Sequence, residues 1–238
     1  MRGRIDGEEA YVLHTRPYRE SSLIAEVFSR NYGRVPLLAR AARRPRSSLR
    51  GQLLAFQPML LGWSGKGEVY TMHKAEWKGG MPLLQGEALF CGYYLNELLL
   101  RLLPREDAHP YLFGSYAEIL AYLAHTPEGQ VSETDLRRFE KRLLQELGYG
   151  LSLQTDCSGQ PVEADGWYAY EVEQGPIRVA EAGKSKLSVS GRTLLDLASE
   201  NFSAQRSRQE AKNLMRALLA HYLGDTPLQT RKMFGDAI

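Results

Sequence analysis

The chain of 238 residues has only two cysteines, Cys91 and Cys157, and neither belongs to a CxxC pair. A disulfide framework or a cysteine-rich zinc site is therefore unsupported. The histidines at 14, 73, 109, 125 and 221 fall in no HExxH or HxxxH spacing, so no helix face offers two imidazoles to a metal. No run approaches the roughly 18 uninterrupted apolar residues of a membrane span. The longest apolar stretch, 88–103, is broken by Asn96, Glu97 and Arg101 and reads as a buried helix in which Cys91 is a small apolar residue. The opening Met1 to Glu9 lacks the apolar core of a signal peptide. The expectation is a soluble cytoplasmic protein, with no metal, no cofactor and no membrane partner.

The sharpest absence is of acid. Between Glu26 and Glu68 there is no aspartate or glutamate, while Arg30, Arg34, Arg40, Arg43, Arg44, Arg46, Arg50 and Lys66 all fall inside the gap. The net charge of the whole chain is only +2, so this is an asymmetry within the molecule. Guanidinium groups suit bidentate phosphate contact, and a phosphate backbone is the anion that such a segment fits. An arginine run is also commonly just solvated surface. Here, however, the segment interrupts a series of strands and is no terminal tail.

Catalytic signatures are missing as well. Ala182-Gly183-Lys184-Ser185 ends like a phosphate loop, but the first glycine of that loop would fall at Arg178, and the residues after Ser185 read as a strand where a helix is needed. Gly62-Trp63-Ser64-Gly65-Lys66 has a lysine where a nucleophile elbow needs glycine, and reads as a glycine-rich hairpin. Glu133, Asp135, Glu171 and Glu173 sit where helix starts and strands explain them. The class indicated is a binding protein, not an enzyme.

Five short runs in the first part alternate or are rich in β-formers: 11–14, 23–28, 35–38, 59–61 and 69–72. Turn signals at Asn31-Tyr32-Gly33 and 62–67 separate them. Five strands in some 70 residues fit a small closed barrel, most simply an OB fold, with 40–50 as a long loop after the third strand. After Gly79-Gly80-Met81-Pro82 the pattern turns helical. Helices are expected over 88–103, with Glu97 and Arg101 at i,i+4 spacing, over 110–126, and over 132–148. The third is capped by Ser132 with Asp135 favouring its start, and its non-apolar positions Arg137, Arg138, Lys141 and Arg142 would form an exposed basic side. A small β insert comes next at about 150–190, then helices at 192–198, at 207–223 behind a capping box of Ser207 and Glu210, and after Pro227. The fold class is α+β: a five-stranded OB barrel over 1–80, then a mainly helical domain over 81–238.

At this point the residues resemble a known family. Tyr11-Val12-Leu13-His14-Thr15-Arg16-Pro17-Tyr18-Arg19-Glu20-Ser21-Ser22-Leu23, Gly33-Arg34-Val35, 38–43 and Ser48-Leu49-Arg50-Gly51 are similar to the start of the bacterial recombination mediator family RecO. The similarity continues through 94–99, Leu136-Arg137-Arg138-Phe139-Glu140, Leu147-Gly148-Tyr149-Gly150 and Tyr222-Leu223-Gly224 with Pro227-Leu228. It spans nearly the whole chain. The motifs are weak singly, and it is their order and spacing that is specific.

The resemblance implies an OB barrel followed by a helical domain with a zinc-ribbon-like insert. It implies binding to single- and double-stranded DNA, annealing of complementary strands, and help in placing RecA on DNA coated by single-stranded-DNA-binding protein, together with RecR and in many bacteria RecF. That would put the protein at the nucleoid. Arg16, Arg34, Arg40, Arg43, Arg44, Arg46 and Arg50 are the expected phosphate contacts, with Tyr18 and Tyr32 as candidates for stacking on bases. Arg137 matches the arginine that family members offer to the acidic, aromatic-ended tail of single-stranded-DNA-binding protein, with a pocket expected near Leu123, Leu136 and Phe139.

Two positions depart from the family. Many relatives hold zinc with four cysteines in the insert, where this chain keeps only Cys157, so zinc is expected to be absent and packing by Trp167, Tyr168 and Tyr170 to stand in for it. Ala41 replaces the usual glycine of the arginine loop, and a positive φ there would strain it. Two rival readings stand beside the mediator: a generic OB-fold chaperone for RNA, and an adaptor that binds proteins but not DNA.

Overall fold

The structure, a computed structural model, describes residues 3–127, 130–183 and 187–234. Lys184 and Ser185 of the phosphate-loop sequence, and Met1 and Arg2 of the opening stretch, lie outside the described residues. The chain divides into two compact units, Met1–Val131 with Leu228–Ile238, and Ser132–Pro227.

In the first unit β1 (Ile5–Tyr18), β2 (Ser22–Ser29), β3 (Gly33–Ala39), β4 (Pro58–Ser64) and β5 (Tyr70–Trp77) close a barrel in the order β1-β2-β3-β5-β4, with β3 and β5 parallel. This is the expected OB barrel. Inward rows such as Val35, Leu37 and Ala39 on β3 meet Val12, Ala25, Val27, Met59, Leu61 and Trp63 in its core. Three strands differ from the expectation, β5 by running on from Tyr70 to Trp77 where 69–72 is expected. Strand β1 begins at Ile5, because a register shift between Ile5 and Glu8 with Gly7 at φ 69° hides the alternation among polar residues. Strand β4 runs on to Ser64 and buries Trp63, so the turn starts only at Gly65.

Helices α1 (Gly86–Leu102) and α2 (Pro110–His125) belong to the same unit. A bulge between Val12 and His14 frees the carbonyl of Leu13, and the buried Asn96 of α1 donates to it at 2.8 Å. Tyr116 of α2 in turn donates its hydroxyl to Asn96, while its ring meets Tyr11 edge-on at 5.2 Å. Gly33 opens β3 at φ 65°, and a Cβ there would stand 1.8 Å from the carbonyl oxygen of Asp107, so only glycine fits.

The second unit contains α3 (Glu133–Glu146), a three-stranded sheet ordered β7-β6-β8 from β6 (Trp167–Glu171), β7 (Gly175–Val179) and β8 (Ser188–Ser190), then α4 (Gly191–Ser199) and α5 (Gln205–Leu223). Ser132 caps α3, accepting from the Thr134 amide at 3.3 Å. The exposed basic side expected of α3 is corrected: Arg138 and Arg142 are exposed, but Arg137 and Lys141 are buried. Lys141 Nζ is consumed by the carbonyls of Leu197 and Ala198 at 3.1 and 2.9 Å, the last turn of α4, where a cation meets the negative helix end.

The capping box is corrected too. Helix α5 starts at Gln205, and Ser207 and Glu210 face α4 instead. Ser207 Oγ donates to Asp196 at 2.5 Å. Glu210 Oε2 accepts from the amide and hydroxyl of Ser190, the N-cap of α4, and from Thr193 Oγ1. The chain ends with α6 (Gln229–Phe234) in the first unit, where the Glu97 carboxylate of α1 accepts from the amides of Gln229 and Thr230 at 2.7 and 2.9 Å.

Candidate nucleic-acid interface

The segment between β3 and β4 is a chain of tight turns, not an open loop. The Arg44 amide donates to the carbonyl of Ala41, that of Ser47 to Arg44, that of Arg50 to Ser47, and that of Gln52 to Leu49, all within 3.0–3.2 Å. Ala42 and Leu53 are part of the barrel core and Leu49 packs against it. Burial of these three apolar residues turns the intervening Arg40, Arg43, Arg44, Arg46 and Arg50 outward, and all five are exposed. The result is a rigidly founded row of cations.

The loop is fastened to the β1–β2 turn. The Arg43 amide donates to the Ser21 carbonyl at 2.8 Å, and its Nη1 to the Glu20 carbonyl at 3.3 Å. This brings Arg19, an exposed cation absent from the expected set, beside the loop; its guanidinium lies 5.3 Å from the Tyr18 ring centre. No periodicity marks Arg19, because the contact arises from tertiary folding of the loop back onto the turn. Ala41 takes φ 54°, the left-handed conformation in which a β-carbon is strained and glycine is not.

The expected residues divide. Arg16 is exposed on β1, paired in register with Ile24. Arg34 stands apart from the exposed set: it is half-buried, its Nε donates to the Leu103 carbonyl at 2.9 Å, and Nη1 lies 3.7 Å from Glu26. Loss of solvent lowers its pKa, opposed by the Glu26 charge and assisted by Arg105. Tyr32 packs edge-on to Trp63 at 5.5 Å against the barrel core.

Arg137 is 2% exposed and its Nη2 meets Glu140, also buried, at 2.8 Å. Its Nε and Nη1 are buried without a hydrogen-bond partner. Leu136 and Phe139 are buried on the same helix. Leu123 belongs to the first unit, where it lines a groove of about 220 Å³ with Pro82, Leu83, Ala88 and Val131.

The insert does not fit zinc. Cys157 is a single exposed thiol and Cys91 is buried in α1, whereas a structural zinc needs about four ligands. Hydrogen bonds do the local work instead. Asp156 Oδ1 accepts from the Ser158 hydroxyl at 2.7 Å and from the amides of Ser158 and Gln160 at 2.9 Å, and these bonds, the Ser158 hydroxyl foremost, hold its carboxyl below the usual range. The Cys157 amide donates to the Pro176 carbonyl at 2.9 Å, and the buried Tyr168 accepts from the Glu163 amide through its hydroxyl at 2.9 Å.

A five-stranded OB barrel carrying an anchored arginine loop, followed by a helical region with a small sheet, defines the class of protein. Residues 5–81 match the family described as Recombination protein O N terminal, and residues 83–232 match Recombination protein O C terminal. The chain is 60% identical over 234 residues to the DNA repair protein RecO of Dechloromonas aromatica (strain RCB), covering 98% of this chain and 97% of that one. It is 53% identical over 231 residues to RecO of Aromatoleum aromaticum (97% and 95% covered), and 50% identical over 242 residues to RecO of Azoarcus sp. (100% and 98% covered). The chain belongs to the RecO family of DNA repair proteins.

Proposed function

We propose that this protein is a recombination mediator that binds single- and double-stranded DNA on the barrel, anneals complementary strands, and acts with RecR, and where present RecF, to help place RecA on DNA coated by single-stranded-DNA-binding protein in the cytoplasm, at the nucleoid. The observation that carries the reading is the arginine loop: five exposed guanidinium groups on a backbone pinned by Ala42, Leu49 and Leu53, with no acid between Glu26 and Glu68. Arg16, Arg40, Arg43, Arg44, Arg46 and Arg50 contact phosphates; Arg34 holds the fold. Annealing results from neutralising two strands at once, which needs no reading of base sequence.

A second contact supports the partner reading. The buried Arg137 has two guanidinium nitrogens without an acceptor, a costly state of about 1–3 kcal/mol that a bound carboxylate relieves. The acidic tail of single-stranded-DNA-binding protein, with its terminal carboxylate, is the proposed occupant; Arg137, Leu136 and Phe139 are all buried in the unliganded chain, so the reading requires helix α3 to yield to the tail as it binds.

The test is the annealing rate of complementary strands coated with the cognate single-stranded-DNA-binding protein, with and without this chain. Acceleration supports both contacts. Acceleration on bare strands alone leaves a generic nucleic-acid chaperone, and absence of DNA binding at physiological salt leaves an adaptor.

A further inference from the structure

We propose that Trp77 is the platform on which an unpaired base stacks when single-stranded DNA lies along the arginine loop; this rests on the reading of that loop as the DNA-binding face. Trp77 ends β5, in register with Met59 of β4 and two residues beyond Ala75, which packs against the barrel core. Alternation therefore places Trp77 on the inward row, yet the residue is 56% exposed. It has run past the end of the core onto the barrel rim.

The indole is not loose there. Its Nε1 donates to the Gln52 carbonyl at 2.8 Å, and Gln52 closes the last turn of the arginine loop, two residues after Arg50. With the ring's polar atom tied to the loop, the surface left open to solvent is apolar ring, with the partly exposed Leu54 in the same loop end. A large exposed indole forfeits burial free energy in the unliganded protein, which stacking on a base would recover.

The other aromatic residues of the barrel are otherwise engaged. Tyr11, Phe28, Trp63 and Tyr70 are buried, Tyr32 packs on Trp63, and Arg19 covers Tyr18. Cations for phosphate and a held ring for a base, side by side, are the two components of single-strand binding. Stacking requires an unpaired base, so Trp77 gives the face a preference that the arginines alone, which meet the phosphates of either form, do not supply.

The experiment compares binding of a thymidine 30-mer and a duplex of equal length to the full chain and to Trp77→Ala, Trp77→Phe and the triple variant Arg43→Ala/Arg44→Ala/Arg46→Ala. Trp77→Ala is expected to weaken single-strand binding about tenfold or more and duplex binding less than about twofold, while Trp77→Phe, which keeps a ring, stays within about threefold of the parent on both. Emission quenching by the 30-mer should vanish in Trp77→Phe, since Trp63 is buried and Trp167 lies under Arg206. Equal losses on both DNAs, no loss on either, or a Phe variant as weak as Ala overturns the stacking role. If the triple variant binds normally, the DNA-face reading itself fails; if it weakens while Trp77→Ala does not, only this inference does.

Discussion

The backbone amide of Arg43 donates to the carbonyl of Ser21 at 2.8 Å, the shortest of the bonds that join the arginine loop to the β1–β2 turn. The chain reaches that position by passing through Ala41 in the left-handed region at φ 54°. A β-carbon there costs roughly 1–2 kcal/mol, against the entropy that glycine would add to the unfolded chain. Ala41→Gly is therefore expected to stabilise the protein by about 0.5–1 kcal/mol, seen as a higher urea midpoint at unchanged slope. A lower midpoint would show that the conformation carries no strain.

Asn96 satisfies a carbonyl that the β1 bulge leaves without a ladder partner and in turn accepts from Tyr116. Asn96→Leu removes both of these buried hydrogen bonds. A loss of about 2–3 kcal/mol in unfolding free energy is expected. Near-neutral behaviour would mean that these groups find other partners.

Glu210 is half-buried, and loss of solvent alone would raise its pKa. Hydrogen bonds from Ser190, Arg206 and Thr193 outweigh that and hold it below the ordinary glutamate range. A carboxylate whose folded pKa is depressed adds stability that is full above its unfolded pKa and is lost as pH falls through the folded one. Unfolding followed from neutral pH downward should therefore show a stability loss beginning near the ordinary glutamate pKa of about 4.3, and Glu210→Gln should flatten that part of the profile. An identical acid profile in the variant would show that the Glu210 carboxylate does not contribute to it.

Arg137→Ala is expected to weaken binding of an acidic, aromatic-ended tail peptide at least about tenfold, while bare-DNA affinity stays within about twofold. The substitution also breaks the buried Arg137–Glu140 ion pair, which costs about 3–5 kcal/mol. The double variant Arg137→Ala/Glu140→Ala separates the effects. It should recover stability and remain deficient in tail binding; recovery of both would make Arg137 a structural residue only.

Periodicity is a sufficient guide to the barrel and to the helices, because their cores are made of local apolar rows such as Val35, Leu37 and Ala39. The strain expected at Ala41 comes from the family resemblance alone, and its φ of 54° accords with it. The features that escape the sequence are decided at long range. Arg34 looks like any other loop arginine until the carbonyl of Leu103, from the far end of α1, is beside it. Arg137 and Lys141 lie among charged neighbours that suggest a wet face, yet their partners Glu140 and the end of α4 draw them inside. Trp77 continues an inward alternation past the end of the core, and only the closed barrel shows where that core stops.

The assignment of DNA to the arginine loop stands or falls on the salt dependence of single-stranded DNA affinity, measured on the full chain and on the Arg43→Ala/Arg44→Ala/Arg46→Ala variant. Each phosphate contact releases a counterion worth about 0.7 in the slope of log affinity against log salt, so the variant's slope should be shallower by about 2. An unchanged slope would place the DNA elsewhere on the molecule and contradict the role given to these arginines.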